Sequence, residues 1–211
     1  MKVIATNIGT STTIQWKGQE VQTGIYKYPT QEPLHLGKED VAKDSVVDRR
    51  YHGGVDKACY LFSAEQYPYW KALYPDLDWD WGMLGENLTV EGLDESQIRI
   101  GNIYRLGTAL VQISQPRQPC YKLGVRFNNQ DILGQFVAKA CPGTYVRVLE
   151  EGTVTAGDTF ELVEVSENEL TVKQYFQFLY QRVKDPETLA LARTNTALPQ
   201  SHQEDLKKIK Q

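Results

Sequence analysis

The chain has 211 residues, 41% of them apolar and 24% charged, enough for one domain of ordinary size plus a small appendage. Its formal net charge of −4 gives no general attraction to nucleic acid or to an anionic membrane, so neither is expected as a partner. No uncharged apolar run approaches the ~18 residues of a membrane helix. MKVIATNIGTST alternates like a strand rather than an export signal, which makes the cytoplasm the expected compartment.

Strand patterns dominate the first part of the chain. KVIATNIG, TTIQW, VQTGIYKY and KACYLF carry β-branched or aromatic residues in partial alternation, with Gly, Pro, Asn and Asp between them. SAEQYPYWKALYP then reads as a helix, with Ser63 and Gln66 at capping-box spacing and Pro75 at its end. LGENLTVEG, GNIYRLG and ALVQIS resume the strand pattern. DILGQFVAKACPG reads as a short helix, and TYVRVLEEG and DTFELVEV as two more strands. Many short strands with scattered helices predict a mixed β/α fold, mainly β, in the form of a partly closed barrel.

The pattern changes after Val165, which divides the chain into residues 1–165 and 166–211. Val172, Tyr175, Phe176, Leu179, Tyr180 and Val183 fall on one helical stripe, with Thr171 placed to cap it. Asp185 and Pro186 read as the N-cap and first residue of a second helix. Ser201 and Glu204 are spaced as a capping box for a third, whose last turn carries Lys207, Lys208 and Lys210. The stripe needs an apolar partner, which could be the barrel, the two later helices or a second copy of the chain; the later helices look too short and polar to cover it, which leaves room for a homodimer contact.

Three motifs have chemical potential. In RRYHGGVDKACYLF, Arg49, Arg50, His52 and Lys57 surround Gly53 and Gly54; glycines let backbone N–H groups approach an anion. By spacing alone, a solvated turn before a strand explains that segment better. In LGENLTVEG, Asn87 could donate into a pocket, or simply belong to a strand entered through a glycine turn. In SQPRQPCYKLG, two prolines stiffen the loop around Arg117, and Cys120 follows directly. Near Arg117, Lys122 and Arg126, that thiol is expected to have a lowered pKa and to suit a soft metal. An inert buried cysteine is the alternative. Cys59 and Cys141 have the surroundings of small core residues. An odd number of cysteines, without CxxC spacing, points to reduced thiols rather than a disulfide framework.

HGGVDKA, GENLTVEGL and QPRQPCYKL, in this order and followed by a three-helix tail, resemble the MOSC domain family and, within it, the YiiM-type subfamily. The resemblance implies a β-barrel-like fold with a C-terminal three-helix appendage and a cleft for the molybdenum cofactor, a pterin dithiolene with a phosphate. It implies Cys120 as catalytic residue and molybdenum ligand. Arg49, His52, Gly53, Gly54, Lys57, Asn87, Arg117 and Lys122 are the expected cofactor-binding residues. It further implies reduction of small N-hydroxylated substrates such as hydroxylaminopurines, a detoxification chemistry, with electrons from a separate reductase. The alternative is a sulfur carrier or cofactor-delivery protein that holds a persulfide on Cys120.

Overall fold

The computed structural model describes residues 1–47, 49 and 52–209, so Arg50 and Lys210 lie outside the described residues. The strands are β1 (Lys2–Gly9), β2 (Thr12–Trp16), β3 (Gln19–Thr23), β4 (Lys27–Thr30), β5 (Leu34–Leu36), β6 (Cys59–Ser63), β7 (Leu88–Glu91), β8 (Ile103–Leu106), β9 (Ala109–Pro116), β10 (Thr144–Glu150), β11 (Gly152–Val154) and β12 (Phe160–Glu164). The helices are α1 (Tyr67–Leu73), α2 (Tyr121–Arg126), α3 (Ile132–Lys139), α4 (Val172–Tyr180), α5 (Pro186–Thr194) and α6 (Gln200–Lys208). No described helix is long and apolar enough to cross a membrane.

One large sheet runs in the order β12-β8-β9-β10-β6-β7-β1-β4. Its pairings are antiparallel except for β6 with β7. The sheet curls until β1 reaches the far edge. Lys2 bridges Thr159, the Val3 N–H donates to the Asp158 carbonyl at 2.9 Å, and the Phe160 N–H donates to the Met1 carbonyl at 3.1 Å. These bonds close the mainly β barrel that the strand pattern predicts, and they leave β4 as an extension. Alternation supplies the inner face: in β10, Thr144, Val146 and Val148 are buried and the residues between them are less so.

Val3, Leu61, Leu88, Val90, Val111, Ile113, Val146 and Val148 fill the interior, and burying each such side chain contributes about 1.5–3 kcal/mol. The same apolar cluster continues into Leu170, Val172, Tyr175, Phe178, Leu189, Leu198 and Leu206 of the C-terminal segment. A second, aromatic cluster under α1 and α3 stacks Trp70 on Phe136 at 5.9 Å and sets Phe136 edge-on to Phe176 at 6.3 Å.

Several local expectations change. VQTGIYKY is two strands, not one: a Cβ on Gly24 would lie 1.7 Å from the Ser45 carbonyl oxygen, so the strand breaks where that segment crosses. Ser63 does not cap a helix; its hydroxyl donates to Glu65 at 2.7 Å and α1 begins at Tyr67. Thr171 and Gln174 do form a capping box, and Asp185 accepts from the Thr188 N–H at 2.7 Å. Ser201 is no cap either, because Pro199 opens α6 and places Ser201 inside the first turn. The α4 stripe ends at Tyr180. Gln181 leaves the helical conformation, so Val183 stands 84% exposed beyond it. Val172, Tyr175 and Phe176 are covered within the chain, as is Phe178, which the stripe omitted.

Candidate functional site

The Cys120 loop begins as the last residue of β9 leaves the sheet. Pro116 still pairs with Thr144, and Cys120 is extended at the entrance to α2. Arg117 is buried. Its Nη1 donates to the Leu84 carbonyl, and its guanidinium lies over Tyr60 at 4.8 Å and Phe136 at 5.8 Å. Burial works against its charge, but the Tyr60 and Tyr145 phenols and the Cys120 thiol hold its pKa above the ordinary arginine value. This contact ties the QPRQPC loop to the GENL segment. Lys122, also buried, donates from Nζ to the Gln22 carbonyl at 3.3 Å, while Tyr121 stacks on Trp16 at 4.6 Å. The β2–β3 hairpin therefore leans on α2.

The HGG turn approaches from the other side. Gly53 has φ +74°, and a Cβ there would come within 2.7 Å of the Val46 side chain. A short 3-10 turn, Val55–Lys57, follows and is held at Asp56. The Asp56 carbonyl accepts from Ser114 Oγ at 2.7 Å and Gln115 Nε2 at 3.2 Å, and its carboxylate pairs with Arg147. Burial lowers the pKa of the Lys57 ammonium, partly opposed by the Asp56 charge. His52 Nε2 lies 3.9 Å from Cys120 Sγ.

Two cavities meet here. The inner one is lined by His52, Gly53, Lys57, Asn87, Arg117, Cys120 and Lys122 among others. The outer one shares His52, Lys57, Cys120, Lys122 and Tyr145 with it, and adds Gln115, Gln118, Pro119 and Tyr121. Segments distant in sequence thus supply the thiol, a histidine and four cationic side chains to one place.

Not every expected residue arrives. Arg49 lines neither cavity and pairs instead with Glu39 and Asp40. Gly54 lines neither, and its N–H is already donated to the Glu39 carbonyl at 2.9 Å. Asn87 lines the inner cavity, but its amide is engaged: Oδ1 accepts from the Tyr60 N–H at 3.2 Å and Nδ2 donates to Asp44 at 2.9 Å. Sequence reasoning missed Lys27, Asp44, Tyr60 and Tyr145, all on the inner wall. Lys27 and Asp44 form a buried ion pair, and Asp44 also accepts from the Gly9 N–H at 2.9 Å. The signal available was a lone lysine inside the aromatic run GIYKYP.

Cys59 is fully buried in β6, with its pKa pushed well up by burial, and burial also raises that of Cys141. Cys120 alone of the three lines these cavities.

Residues 48–161, which carry the HGG, GENL and QPRQPC segments, match the MOSC domain family. The chain belongs to that family. It is 35% identical over 199 residues to YflK, an uncharacterized protein of Bacillus subtilis, covering 94% of this chain and 90% of YflK. It is 34% identical over 151 residues to a Gibberella moniliformis protein named reductase, covering 70% of this chain but only 27% of that protein. The crystal structure of YiiM from Geobacillus stearothermophilus superposes with a TM-score of 0.82 at 32% identity, over 98% of this chain and 97% of that one. This MOSC domain is thus of the YiiM type, and its function is related to the molybdenum cofactor with which MOSC domains are associated. The inner cavity suits such a group. It offers a thiol for a soft metal and the buried cations Arg117 and Lys122 for a phosphate and an anionic dithiolene.

Proposed function

We propose that the protein reduces small N-hydroxylated compounds, hydroxylaminopurines among them, with the molybdenum cofactor in the inner cavity and Cys120 as metal ligand. The observation that carries this reading is the position of Cys120 in the wall shared by both cavities. A group bound in the inner one is then reachable from the outer one. Overall, R–NHOH takes up two electrons and two protons to give R–NH₂ and water: the N–O bond breaks, and N–H and O–H bonds form. When bound, the cofactor supplies the two-electron redox chemistry; a separate reductase recharges it.

The chain's own groups do the rest. Arg117 and Lys122 balance the cofactor's negative charge, and Tyr60 and Tyr145 wall it in. His52 stands 3.9 Å from the thiol, where a proton is needed as oxygen leaves as water. Lys57, its ammonium pKa lowered by burial, is a second proton source on the same wall. Similarity to part of a protein named reductase agrees with this reading. The outer cavity also favours turnover over sulfur carriage, because a persulfide carrier has no need of a substrate-sized recess beside its cysteine.

The test is molybdenum analysis of protein made in a cofactor-producing host, together with assay of 6-hydroxylaminopurine reduction by an artificial electron donor. Stoichiometric metal and turnover are expected. Protein that carries cofactor without turnover, or sulfur on Cys120 without molybdenum, would favour the carrier.

A further inference from the structure

The outer cavity contains a fixed hydrogen-bond acceptor that the reading above does not use. Gln115 is only 2% exposed, yet it lines this cavity. Its Nε2 donates to the Asp56 carbonyl at 3.2 Å. A backbone carbonyl can only accept, so the nitrogen of the carboxamide must face Asp56 and the oxygen must face away. Gln115 Oε1 has no hydrogen-bond partner among the described residues. Asp56 is itself immobilised, since Ser114 Oγ donates to the same carbonyl at 2.7 Å and Arg147 Nε holds the carboxylate at 2.9 Å. Arg147 Nη2 also reaches the Ala197 carbonyl at 3.3 Å, so the C-terminal segment braces the turn. The side chain is thus oriented by its amide nitrogen, with its oxygen left as an acceptor that a ligand N–H in the cavity can complete.

Resting on the proposed reductase activity, we propose that Gln115 orients the substrate, its Oε1 accepting a hydrogen bond from the N–H of the nitrogen that bears the hydroxyl group. The oxygen to be lost must face the Cys120 side of the cavity. The nitrogen is one bond further out, with its hydrogen toward the outer wall. Gln115 therefore selects primary N-hydroxylated amines, R–NH–OH, over analogues in which that hydrogen is replaced by carbon. It acts on substrate orientation and takes no part in proton or electron transfer.

The experiment pairs 6-hydroxylaminopurine with its N-methyl-N-hydroxy analogue, which lacks the N–H. Binding to the cofactor-loaded protein is measured by calorimetry, and reduction by steady-state kinetics. The wild type should prefer the N–H compound about tenfold in both readouts, the worth of one such hydrogen bond. Gln115→Met, of similar volume, should abolish the preference by weakening the N–H compound alone. Equal binding of the two compounds by the wild type overturns the proposal, as does a Gln115→Met variant that loses both ligands equally, which marks a structural role only. The wild-type comparison needs no variant, so the proposal remains testable if Gln115→Met does not fold. If neither compound is reduced, the reductase reading fails, while the calorimetric preference still decides the role of Gln115.

Discussion

The two cavities share Cys120 but are built differently. Around the inner one, ionic side chains are sunk into the protein: Arg117, Lys122 and the Lys27–Asp44 pair are all nearly inaccessible. The part of the outer wall not shared with it is neutral, made of Gln115, Gln118, Tyr121 and two prolines. Burying charge is expensive without a partner, and a fold that gathers several cations in one recess gains most when an anion fills it. Neutral amides and a ring offer orientation without demanding charge. On the proposed reading, this contrast suits an anionic cofactor within and an uncharged substrate outside.

The most damaging change should be Cys120→Ser, because it alters the wall common to both cavities. Turnover and molybdenum content are expected to fall together. Melting temperature should hardly move, since Cys120 is only part-buried. A variant that keeps full metal loading would detach the thiol from the cofactor and break the comparison at its centre.

Lys27→Met attacks the inner wall alone. It leaves Asp44 buried beside Asn87 without its cation, at a cost of about 3–5 kcal/mol in a denaturant titration. Lys27→Met/Asp44→Leu should recover a large part of that loss. Calorimetric binding of 6-hydroxylaminopurine in the outer cavity should change little in variants that remain folded.

Glu86 sharpens the comparison from beneath. It is fully buried with hydroxyl and N–H partners but no cation among the described residues: Thr89 Oγ1 donates at 2.9 Å, Gly82 N at 3.0 Å, and the Tyr67 hydroxyl donates too. Burial raises its pKa above the ordinary 4.5, although these donors oppose the shift. The folded state therefore binds more protons than the unfolded state just above pH 4.5. Stability contributed by this group is present below that pH and is lost as pH rises through the folded pKa. Glu86→Gln should flatten the fall of unfolding free energy with pH. Some slope should remain, because burial also raises the pKa of Glu95.

The smallest effect belongs to Thr171→Ala, at a residue that lines neither cavity. Loss of the capping box should cost about 1 kcal/mol by thermal unfolding and leave both ligand sites intact. A change in substrate preference would mean that α4 reaches the site.

Much of the barrel was legible because its strands alternate: β1, β9 and β10 announce an inner face in their residue order. β5 and β11 were not, since LHL and GTV are too short to show a period. Their pairing depends on a partner more than a hundred residues away. The candidate site was legible where a motif is local. HGG and QPRQPC name His52, Gly53, Lys57, Arg117, Cys120 and Lys122 directly. Lys27, Asp44, Tyr60 and Tyr145 were hidden because only sheet register brings them together; Tyr60 faces Tyr145 as the direct partner between β6 and β10. Arg49 failed for an opposite reason. A basic residue beside a motif has no obligation to it when Glu39 and Asp40 lie nearer.

The seam that closes the barrel has a consequence for synthesis. β1 leaves the ribosome before the other strands of the barrel, yet the contacts that complete its edge come from Asp158, Thr159 and Phe160. At ~5–20 residues per second, roughly 8–30 s must pass before those partners exist. Through that interval the N-terminal strand has an edge that only later chain can cover, and such edges invite pairing with neighbouring nascent chains. A bulky or strand-forming tag fused ahead of Met1 would burden this last closure, whereas the same tag after α6 would meet a barrel already sealed.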